Sequence, residues 1–185
     1  MNYVDAINNY IPRCPQEEKD KDFFIRFIDE NPDCLLRSND FAHVTASSWV
    51  VSPDRKKVLM VYHNIYDSWS WTGGHADGES DLAALALREL TEETGLISPR
   101  LLSPSPVSIE ILTVDGHMKK GEYVHSHLHL NVTYLFEADE EALIRIKEDE
   151  NSGVRWFSIE EMFDAVSEKW MAENVYKKLC ERSAM

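Results

Sequence analysis

The amino-acid sequence predicts an α/β or α+β sandwich in which helices cover both faces of one β-sheet. Strand-like segments with alternating apolar residues fill the middle of the chain, and helical patterns lie before, among and after them. Hydrophobic residues make up 43% of the 185 residues. A chain of this length buries roughly 70% of its unfolded surface, so we expect a full core in one domain, or in one domain with an extension.

Residues 1–40 are predicted to form a helical extension that packs on a main domain at residues 41–185. Apolar residues recur at helical spacing within the extension, and the turn-forming segment 31–33 follows them. The apolar stripe consists of Phe23, Phe24, Phe27 and Ile28.

The main domain begins with a predicted β-hairpin. Residues 43–52 and 58–63 are rich in β-branched and aromatic residues, and the polar segment 52–57 separates them as a turn. Residues 67–71 then alternate polar and aromatic side chains before a predicted break at residues 72–74. The break separates these strands from a long helical pattern.

The second half of the domain contains three more predicted strands. They cover residues 106–114, 125–136 and 153–158, and one or two C-terminal helices follow from Ile159 onward. In the strand at 125–136, apolar side chains lie on one face and polar ones on the other, because successive side chains alternate. The polar face carries His125, His127, His129, Asn131 and Thr133.

A helix with a cluster of acidic side chains is predicted from about Asp81 to Thr94, ended by Gly95 as a C-cap glycine. The glutamates fall within an arc of about 100°, although acidic residues are unfavourable near a helix C-terminus and like charges at i,i+4 destabilise a helix. A hard divalent cation takes carboxylate oxygens and would offset both penalties. A solvated acidic face is the alternative. The predicted ligands of Mg²⁺, or of Mn²⁺, are Glu89, Glu92 and Glu93.

Charge and composition exclude several classes of partner. The formal net charge of −14 at pH 7 argues against binding to a nucleic-acid duplex or to an anionic membrane surface, since both attract clustered Lys and Arg. Small anionic substrates fit if metal ions neutralise the site. The sequence has no basic-then-apolar leader and no apolar run of membrane-spanning length, and its three cysteines are widely spaced. We expect a cytoplasmic protein with free thiols.

Residues 73–96, GGHADGESDLAALALRELTEETGL, resemble the Nudix box. That pattern is Gly, five residues, Glu, seven residues, then Arg-Glu-aliphatic-x-Glu-Glu-x-Gly-aliphatic. The resemblance to the Nudix hydrolase family extends over about residues 40–160 and implies a Nudix-type α/β/α sandwich with a mixed β-sheet. The matching positions, at residues 74–96, are Gly74, Arg88, Glu89, Leu90, Glu92, Glu93, Gly95 and Leu96.

One position departs from the box. The pattern places its first Glu at position 80, where this chain has Ser80, and Glu79 lies one residue earlier. In the family that Glu orients the Arg of the box, here Arg88, so the sequence leaves open whether Glu79 pairs with Arg88. The shift does not affect the glutamates on the helix.

The resemblance implies hydrolysis of a nucleoside diphosphate linked to another moiety, or of a related diphosphate. Mg²⁺ held by Glu89, Glu92 and Glu93 would neutralise the diphosphate and lower the pKa of an attacking water, and a carboxylate would take the proton of that water. Gly73 and Gly74 are predicted to let phosphate approach the backbone closely.

The catalytic residues implied by the resemblance are Arg88, Glu93 and Glu150. Glu150 precedes the closing strand and resembles a downstream Glu that acts as general base in some relatives, so we prefer it to Glu148 and Asp149. Glu93 is the other candidate base. A loop glutamate in an acidic turn is the alternative interpretation of Glu150.

The histidines on the strand at 125–136 have two interpretations. Two histidines on one strand face can bind a metal, but a row of this kind is more commonly a hydrogen-bonding lining or a solvated face. We predict that His127 and His129 line the substrate cleft.

Two rival functions have the same fold. A diphosphate isomerase of the isopentenyl type relies on a cysteine near the glycine loop, whereas this chain has none between Cys34 and Cys180. A non-catalytic nucleotide sensor would not need the destabilising glutamate cluster. Specificity is expected in residues 1–40, in the loop at 116–121 and in the C-terminal helices, and the family resemblance favours a homodimer.

Overall fold

A computed structural model describes residues 1–119 and 121–184. The helices are α1 (Tyr3–Asn9), α2 (Pro15–Glu30), α3 (Leu82–Thr94), α4 (Ile159–Ala165), α5 (Lys169–Met171) and α6 (Lys177–Ser183), with a π-helical turn at Ala172–Tyr176. The strands are β1 (Ala42–Val51), β2 (Lys57–His63), β3 (Ser68–Ser70), β4 (Thr72–His75), β5 (Arg100–Leu101), β6 (Ser108–Val114), β7 (His117–Lys119), β8 (Glu122–Val124), β9 (His127–Glu137) and β10 (Asn151–Ser158).

One mixed sheet organises the chain. Its order is β10-β2-β1-β9-β5, and β3, β4 and β6 add to it by pairing with β2, β1 and β9. β1 and β9 run parallel, whereas the other pairs are antiparallel. The predicted α/β class with a mixed sheet is confirmed. A parallel pair needs a long crossover connection, and α3 lies on the connection between β1 and β9.

Two predictions of local structure are wrong. The segment at 72–74, predicted as a break, is part of strand β4, because Thr72, Gly73 and Gly74 pair with β1. The segment at 116–121, predicted as a loop, contributes to the β7–β8 hairpin, although Lys120 lies outside the described residues.

Alternation along the strands produces two hydrophobic clusters, one on each face of the sheet. Val50 belongs to the cluster beneath α1, α2 and α3, whereas its neighbour Trp49 belongs to the cluster beneath the C-terminal helices. Leu130, Val132 and Tyr134 of β9 all face the first cluster, as the alternation predicts. The layers of helix, sheet and helix follow from this pattern.

The terminal helices are held by local signals and by packing. Asn2 accepts a hydrogen bond from the Asp5 N–H at the start of α1, and Pro15 occupies the first turn of α2. Phe24 of α2 is fully buried in the first cluster. The division into an extension at 1–40 and a main domain at 41–185 remains a prediction. Among the helices of the described residues, none combines the length and the apolar character needed to cross a bilayer.

Candidate active site

Helix α3 fixes the direction of the three predicted metal ligands. Asp81 caps its start by accepting a hydrogen bond from the Ala84 N–H at 3.2 Å, and Gly95 ends it in the left-handed conformation with φ of 70°. Leu85 and Leu90 are fully buried against the sheet, which fixes the rotation of the helix about its axis. Its acidic arc therefore faces a cavity rather than the core.

Glu93 is buried in that arc, with 4% of its surface exposed. Its Oε1 accepts a hydrogen bond from the Gly73 N–H at 2.9 Å. Burial, together with the nearby charges of Glu150 and Glu89, raises the pKa of Glu93 to about 8 although the Gly73 N–H opposes the shift. Without a cation, Glu93 is protonated at neutral pH, so a cation that binds here displaces a proton.

Glu89 lies directly against Gly74. A Cβ atom at Gly74 would lie 2.5 Å from the Cδ atom of Glu89, so the carboxylate occupies space that only glycine leaves free. Burial raises the pKa of Glu89, and the charge of Glu92 adds to the rise. The predicted phosphate-loop glycines are thus strand residues that contact two of the predicted metal ligands.

Lys147 connects the third glutamate to the predicted base. Its Nζ lies 3.3 Å from Oε2 of Glu92 and 3.1 Å from Oε1 of Glu150. Among the described residues, the Lys147 ammonium is the positive charge that lies between these two carboxylates. The structure therefore places Glu150 beside the helix glutamates, as required of a residue that acts at the same site.

Asn151 attaches the segment containing Glu150 to α3. It is 1% exposed, its Nδ2 donates to the backbone oxygen of Glu93 at 3.0 Å, and its Oδ1 accepts from the Lys147 N–H at 3.3 Å. The backbone oxygens near a helix C-terminus lack partners within the helix, so Asn151 satisfies one of them. Sequence reasoning missed both Lys147 and Asn151, since only the fold brings them to α3.

These side chains border one cavity of about 630 Å³. Its volume lies within the range of small-molecule sites. The site residues that line it are Gly73, Gly74, Glu89, Glu92, Glu93, His129, Lys147 and Glu150.

Arg88 is not among the described residues that line this cavity. Its side chain is 46% exposed, and its Nη2 lies 3.5 Å from Oε1 of Glu89. Glu79 instead accepts a hydrogen bond from the Asp81 N–H at 2.9 Å, at the start of α3. Among the described residues, the ion pair of Arg88 is with Glu89 and not with Glu79. The catalytic role of Arg88 remains a prediction.

A buried polar network forms the sheet side of the cavity. Thr45 and Ser47 both donate to Oδ1 of Asn131, at 3.0 and 2.8 Å, and Nδ2 of Asn131 lies 3.4 Å from Oε2 of Glu110. Lys178 of α6 pairs with Glu110 at 2.8 Å. The network thus connects the cavity wall to the C-terminal helix, and its polar groups are satisfied within the protein.

The histidine row differs from the prediction. His125 precedes β9, is exposed and lies 3.4 Å from Oδ2 of Asp40, so the prediction that it shares a strand face with the other two is wrong. His127 and His129 instead meet His43 of β1 and His75 of β4. A second cavity of about 300 Å³ is lined by all four, and His75 and His129 also border the larger cavity.

The carboxylates suit a hard divalent cation. Glu93 and Glu89 are oxygen donors largely removed from solvent, and this burial, together with the like charges next to them, raises the pKa of both. Mg²⁺ is usually held by a few carboxylates together with water and substrate phosphates. Here, several carboxylates whose charged forms are unfavourable without a cation lie beside a cavity that has room for water and phosphate.

Comparisons with known proteins agree with this geometry. The chain matches the model of the NUDIX domain over residues 42–179. A search of curated proteins found no match. Among solved structures, a hydrolase of the NUDIX family from Clostridium perfringens is 19% identical over 74% of this chain and 95% of its own, with a TM-score of 0.50.

Two further structures resemble the chain at the level of fold. The dihydroneopterin triphosphate pyrophosphohydrolase of E. coli is 14% identical over 72% of this chain and 92% of its own, with a TM-score of 0.53. The NUDIX domain of Shewanella oneidensis NrtR, solved with ADP ribose, is 19% identical over 98% of this chain and 99% of its own, with a TM-score of 0.52. The family match covers most of the sequence and includes the predicted Nudix box. The chain therefore belongs to the NUDIX domain family.

Proposed function

We propose that the protein is a Mg²⁺-dependent pyrophosphohydrolase that cleaves a nucleoside diphosphate linked to another moiety, or a related diphosphate. Family membership makes it a hydrolase acting on phosphoric anhydride bonds. The observation that carries the proposal is that Glu89, Glu92, Glu93 and Glu150 border one cavity together with the Gly73–Gly74 backbone.

The proposed roles follow from position. Glu89, Glu92 and Glu93 would hold Mg²⁺, or Mn²⁺, which when bound neutralises the diphosphate and lowers the pKa of the attacking water. Close approach of phosphate to Gly73 and Gly74 remains a prediction, since the space that a Cβ atom would take at Gly74 holds the carboxylate of Glu89. Lys147 supplies the positive charge that keeps Glu92 and Glu150 together before substrate binds.

Glu150 is the proposed general base, and Glu93 is the other candidate. The oxygen of the water forms a bond to one phosphorus while the bridging P–O bond breaks, and the leaving phosphate keeps the electron pair. The proton of the water passes to the carboxylate. Glu150 is the more suitable of the two because its side chain is 42% exposed, whereas Glu93 is buried and bonded to Gly73.

The group attached to the diphosphate is sought with a panel of compounds. ADP ribose, the ligand of the NrtR domain, and dihydroneopterin triphosphate, after which the E. coli enzyme is named, are the first members, followed by nucleoside diphosphate derivatives. Specificity is proposed to lie in the N-terminal and C-terminal helices, and a homodimer remains a prediction.

The test is incubation of the protein with this panel and Mg²⁺, followed by measurement of phosphate-containing products. We expect Mg²⁺-dependent release of monophosphate products, with a loss of at least about 100-fold in kcat for Glu93→Gln. Glu148→Gln is the matched control, because Glu148 is exposed in the same loop and does not line the cavity. Turnover that survives Glu93→Gln would remove the assigned chemistry, and tight binding without turnover would favour a nucleotide sensor.

The base is assigned by comparing Glu150→Gln with Glu148→Gln. We expect Glu150→Gln to lower kcat by about 100-fold or more and to leave Mg²⁺ affinity within a few-fold, because Glu150 is not a proposed metal ligand. A kcat of Glu150→Gln that stays close to that of Glu148→Gln would assign the base to Glu93.

A further inference from the structure

Four histidines from three strands converge beside the glutamate cavity. His43 lies on β1, His75 at the end of β4, and His127 and His129 on β9. His43 pairs directly with His129 in the parallel β1–β9 register. The ring centroids of neighbouring pairs lie 4.9 to 5.1 Å apart, and one ring nitrogen from each residue lies within 4.8 Å of the others.

Backbone carbonyls orient two of these rings. Nδ1 of His43 lies 3.0 Å from the backbone oxygen of Asn39, and Nδ1 of His127 lies 2.9 Å from that of His125. A carbonyl oxygen only accepts, so each Nδ1 carries the hydrogen and each Nε2 carries a lone pair. Histidine ligands of metals are usually held in this way, by an N–H that donates to a carbonyl or a carboxylate.

The Nε2 atoms of the cluster lie close together, and not all of them have a hydrogen-bond partner. Nε2 of His43 is buried and has no hydrogen-bond partner within residues 1–119 and 121–184, and His43 is only 4% exposed. Nε2 of His127 and Nε2 of His129 lie 3.2 Å apart and share one hydrogen bond, which a cation bound by both nitrogens would replace. A buried polar nitrogen without a partner is unfavourable, and a shared ligand would remove the penalty.

The spacing and the chemistry of the cluster fit a transition-metal ion. With Zn–N bonds of about 2.0–2.1 Å, two nitrogens of a tetrahedral site lie about 3.3 Å apart, close to the distance between His127 and His129. Burial lowers the pKa of His43, and it lowers that of His75 to about 3 and that of His129 to about 2. Neutral imidazoles suit Zn²⁺, Cu²⁺ and Ni²⁺, whereas Mg²⁺ prefers oxygen.

The same tautomers disfavour an anionic ligand at this point. Phosphate is bound by N–H donors and positive charge, but the N–H groups of His43 and His127 are already used by backbone oxygens. Their remaining nitrogens are acceptors. These hydrogen bonds therefore fit a bound cation better than they fit a role of His43 and His127 as a lining that contacts a diphosphate.

We propose that His43, His75, His127 and His129 bind one transition-metal ion, with Zn²⁺ as the best fit, at a site separate from the glutamates of α3. Four protein ligands make a closed site of the structural kind. The ion fastens β1, β4 and β9 together beside Gly74, and so supports the strand against which Glu89 and Glu93 lie. The proposal does not depend on the identity of the diphosphate substrate.

Metal binding is tested on protein made without a polyhistidine tag and stripped with a chelator. Zn²⁺ is titrated in competition with a chromophoric chelator, in the presence of excess Mg²⁺, and Co²⁺ is titrated to read the coordination geometry from its absorption. We expect one Zn²⁺ per chain, no displacement by Mg²⁺, the intense visible bands of tetrahedral Co²⁺, and a higher melting temperature with Zn²⁺.

Matched variants locate the site. His127→Gln is expected to weaken Zn²⁺ binding by at least about tenfold, as is His43→Gln, whereas His125→Gln retains it because His125 is exposed and outside the cluster. Glu89→Gln also retains it. Circular dichroism establishes that each variant is folded. Binding that is unchanged in His127→Gln and His43→Gln, equal loss in His125→Gln, loss in Glu89→Gln, or no saturable binding would each overturn the proposal.

Discussion

The backbone N–H of Gly73 donates a hydrogen bond to Oε1 of Glu93 across 2.9 Å. This bond joins the glycine strand β4 to the acidic end of α3, and it is a direct favourable contact for a carboxylate that is otherwise almost fully buried. One backbone amide does not replace the hydration of a carboxylate, so burial dominates and the pKa of Glu93 rises to about 8. A bound cation would therefore stabilise the charged form of Glu93.

The metal-free protein should lose stability as pH rises. The pKa of Glu93 moves from 4.5 to about 8 on folding, so between these pH values the unfolded state binds fewer protons and the free energy of unfolding falls with increasing pH. We expect Glu93→Gln to be more stable than the wild type at pH 8 by at least about 1 kcal/mol, with no difference near pH 4. Urea unfolding in a chelator measures both.

Glu92→Gln is the control for this experiment, since the side chain of Glu92 is 48% exposed and its charge is already solvated. A gain in stability at pH 8 as large for Glu92→Gln as for Glu93→Gln would contradict the assignment to burial. Saturating Mg²⁺ should reverse the order, because a cation stabilises only the charged wild-type carboxylate.

Gly74→Ala should weaken Mg²⁺ binding without a side chain of the site being removed. The new Cβ atom would lie 2.5 Å from Cδ of Glu89, so the carboxylate must move away from its position. We expect Mg²⁺ affinity to fall by about tenfold, as for loss of a supporting contact, measured by calorimetry. In a Glu89→Ala background the clash is absent, and Gly74→Ala should then have little further effect. If the losses of Mg²⁺ affinity in the two variants were additive, Gly74→Ala would not act through Glu89.

Lys147→Gln should strengthen Mg²⁺ binding in the absence of substrate. The ammonium of Lys147 competes with the ion for the oxygens of Glu92, and an exposed ion pair of this kind contributes about 0.2–1 kcal/mol. We therefore expect a gain in Mg²⁺ affinity of up to about fivefold at low salt, which shrinks as salt screens the charges. Lys56→Gln, whose partner is Asp54, is the control, and an equal gain there would indicate only a change in net charge.

The acidic arc of α3 could be predicted because it depends on local periodicity. Three glutamates within one helical arc and a C-cap glycine after them are both readable from consecutive residues. The sequence also shows that Glu79 lies one residue before the position expected for the box, but it does not show which group Glu79 contacts. That contact depends on the path of the chain before α3, where Glu79 accepts a hydrogen bond from the Asp81 N–H.

The histidine cluster could not be predicted because it depends on strand register. His43, His75 and His129 are far apart in sequence and meet only because β1 pairs with both β4 and β9. A shift of one residue in either pairing would turn the side chains to the opposite face. The prediction of a break at 72–74 is wrong for a related reason. Two adjacent glycines suggest a break, whereas their pairing with β1 places them in a strand.

Asn151→Ala should destabilise the protein and impair catalysis together. The substitution leaves the buried backbone oxygen of Glu93 without its 3.0 Å donor, which costs about 1–3 kcal/mol. It also frees the segment that contains Glu150, so we expect a lower kcat with the unfolding midpoint in urea shifted downward. Asn174→Ala is the control, because Asn174 donates to the Trp170 backbone oxygen at 2.9 Å from an exposed position. A comparable loss of kcat in Asn174→Ala would contradict the positional role.

Acid should unfold the protein partly through Glu17, which is fully buried. Burial alone would raise its pKa, but Arg182, the Arg13 N–H and Lys178 outweigh burial and lower the pKa to about 2. Because the folded pKa is below the unfolded value of 4.5, the contribution of Glu17 to stability is present above about pH 4.5 and is lost as pH falls towards 2.

Glu17→Gln tests this and distinguishes it from a general effect of charge. It leaves Arg182 and Lys178 without their shared carboxylate, so we expect a loss of about 3–5 kcal/mol at pH 7 and a much smaller difference from the wild type at pH 3. Glu18→Gln removes the same charge from an exposed neighbouring position and should change stability by less than about 0.5 kcal/mol. Since Glu17 joins α2 to α6 and Lys178 continues the contact to Glu110 beside the cavity, a pH-independent loss would mean that Glu17 contributes packing rather than charge.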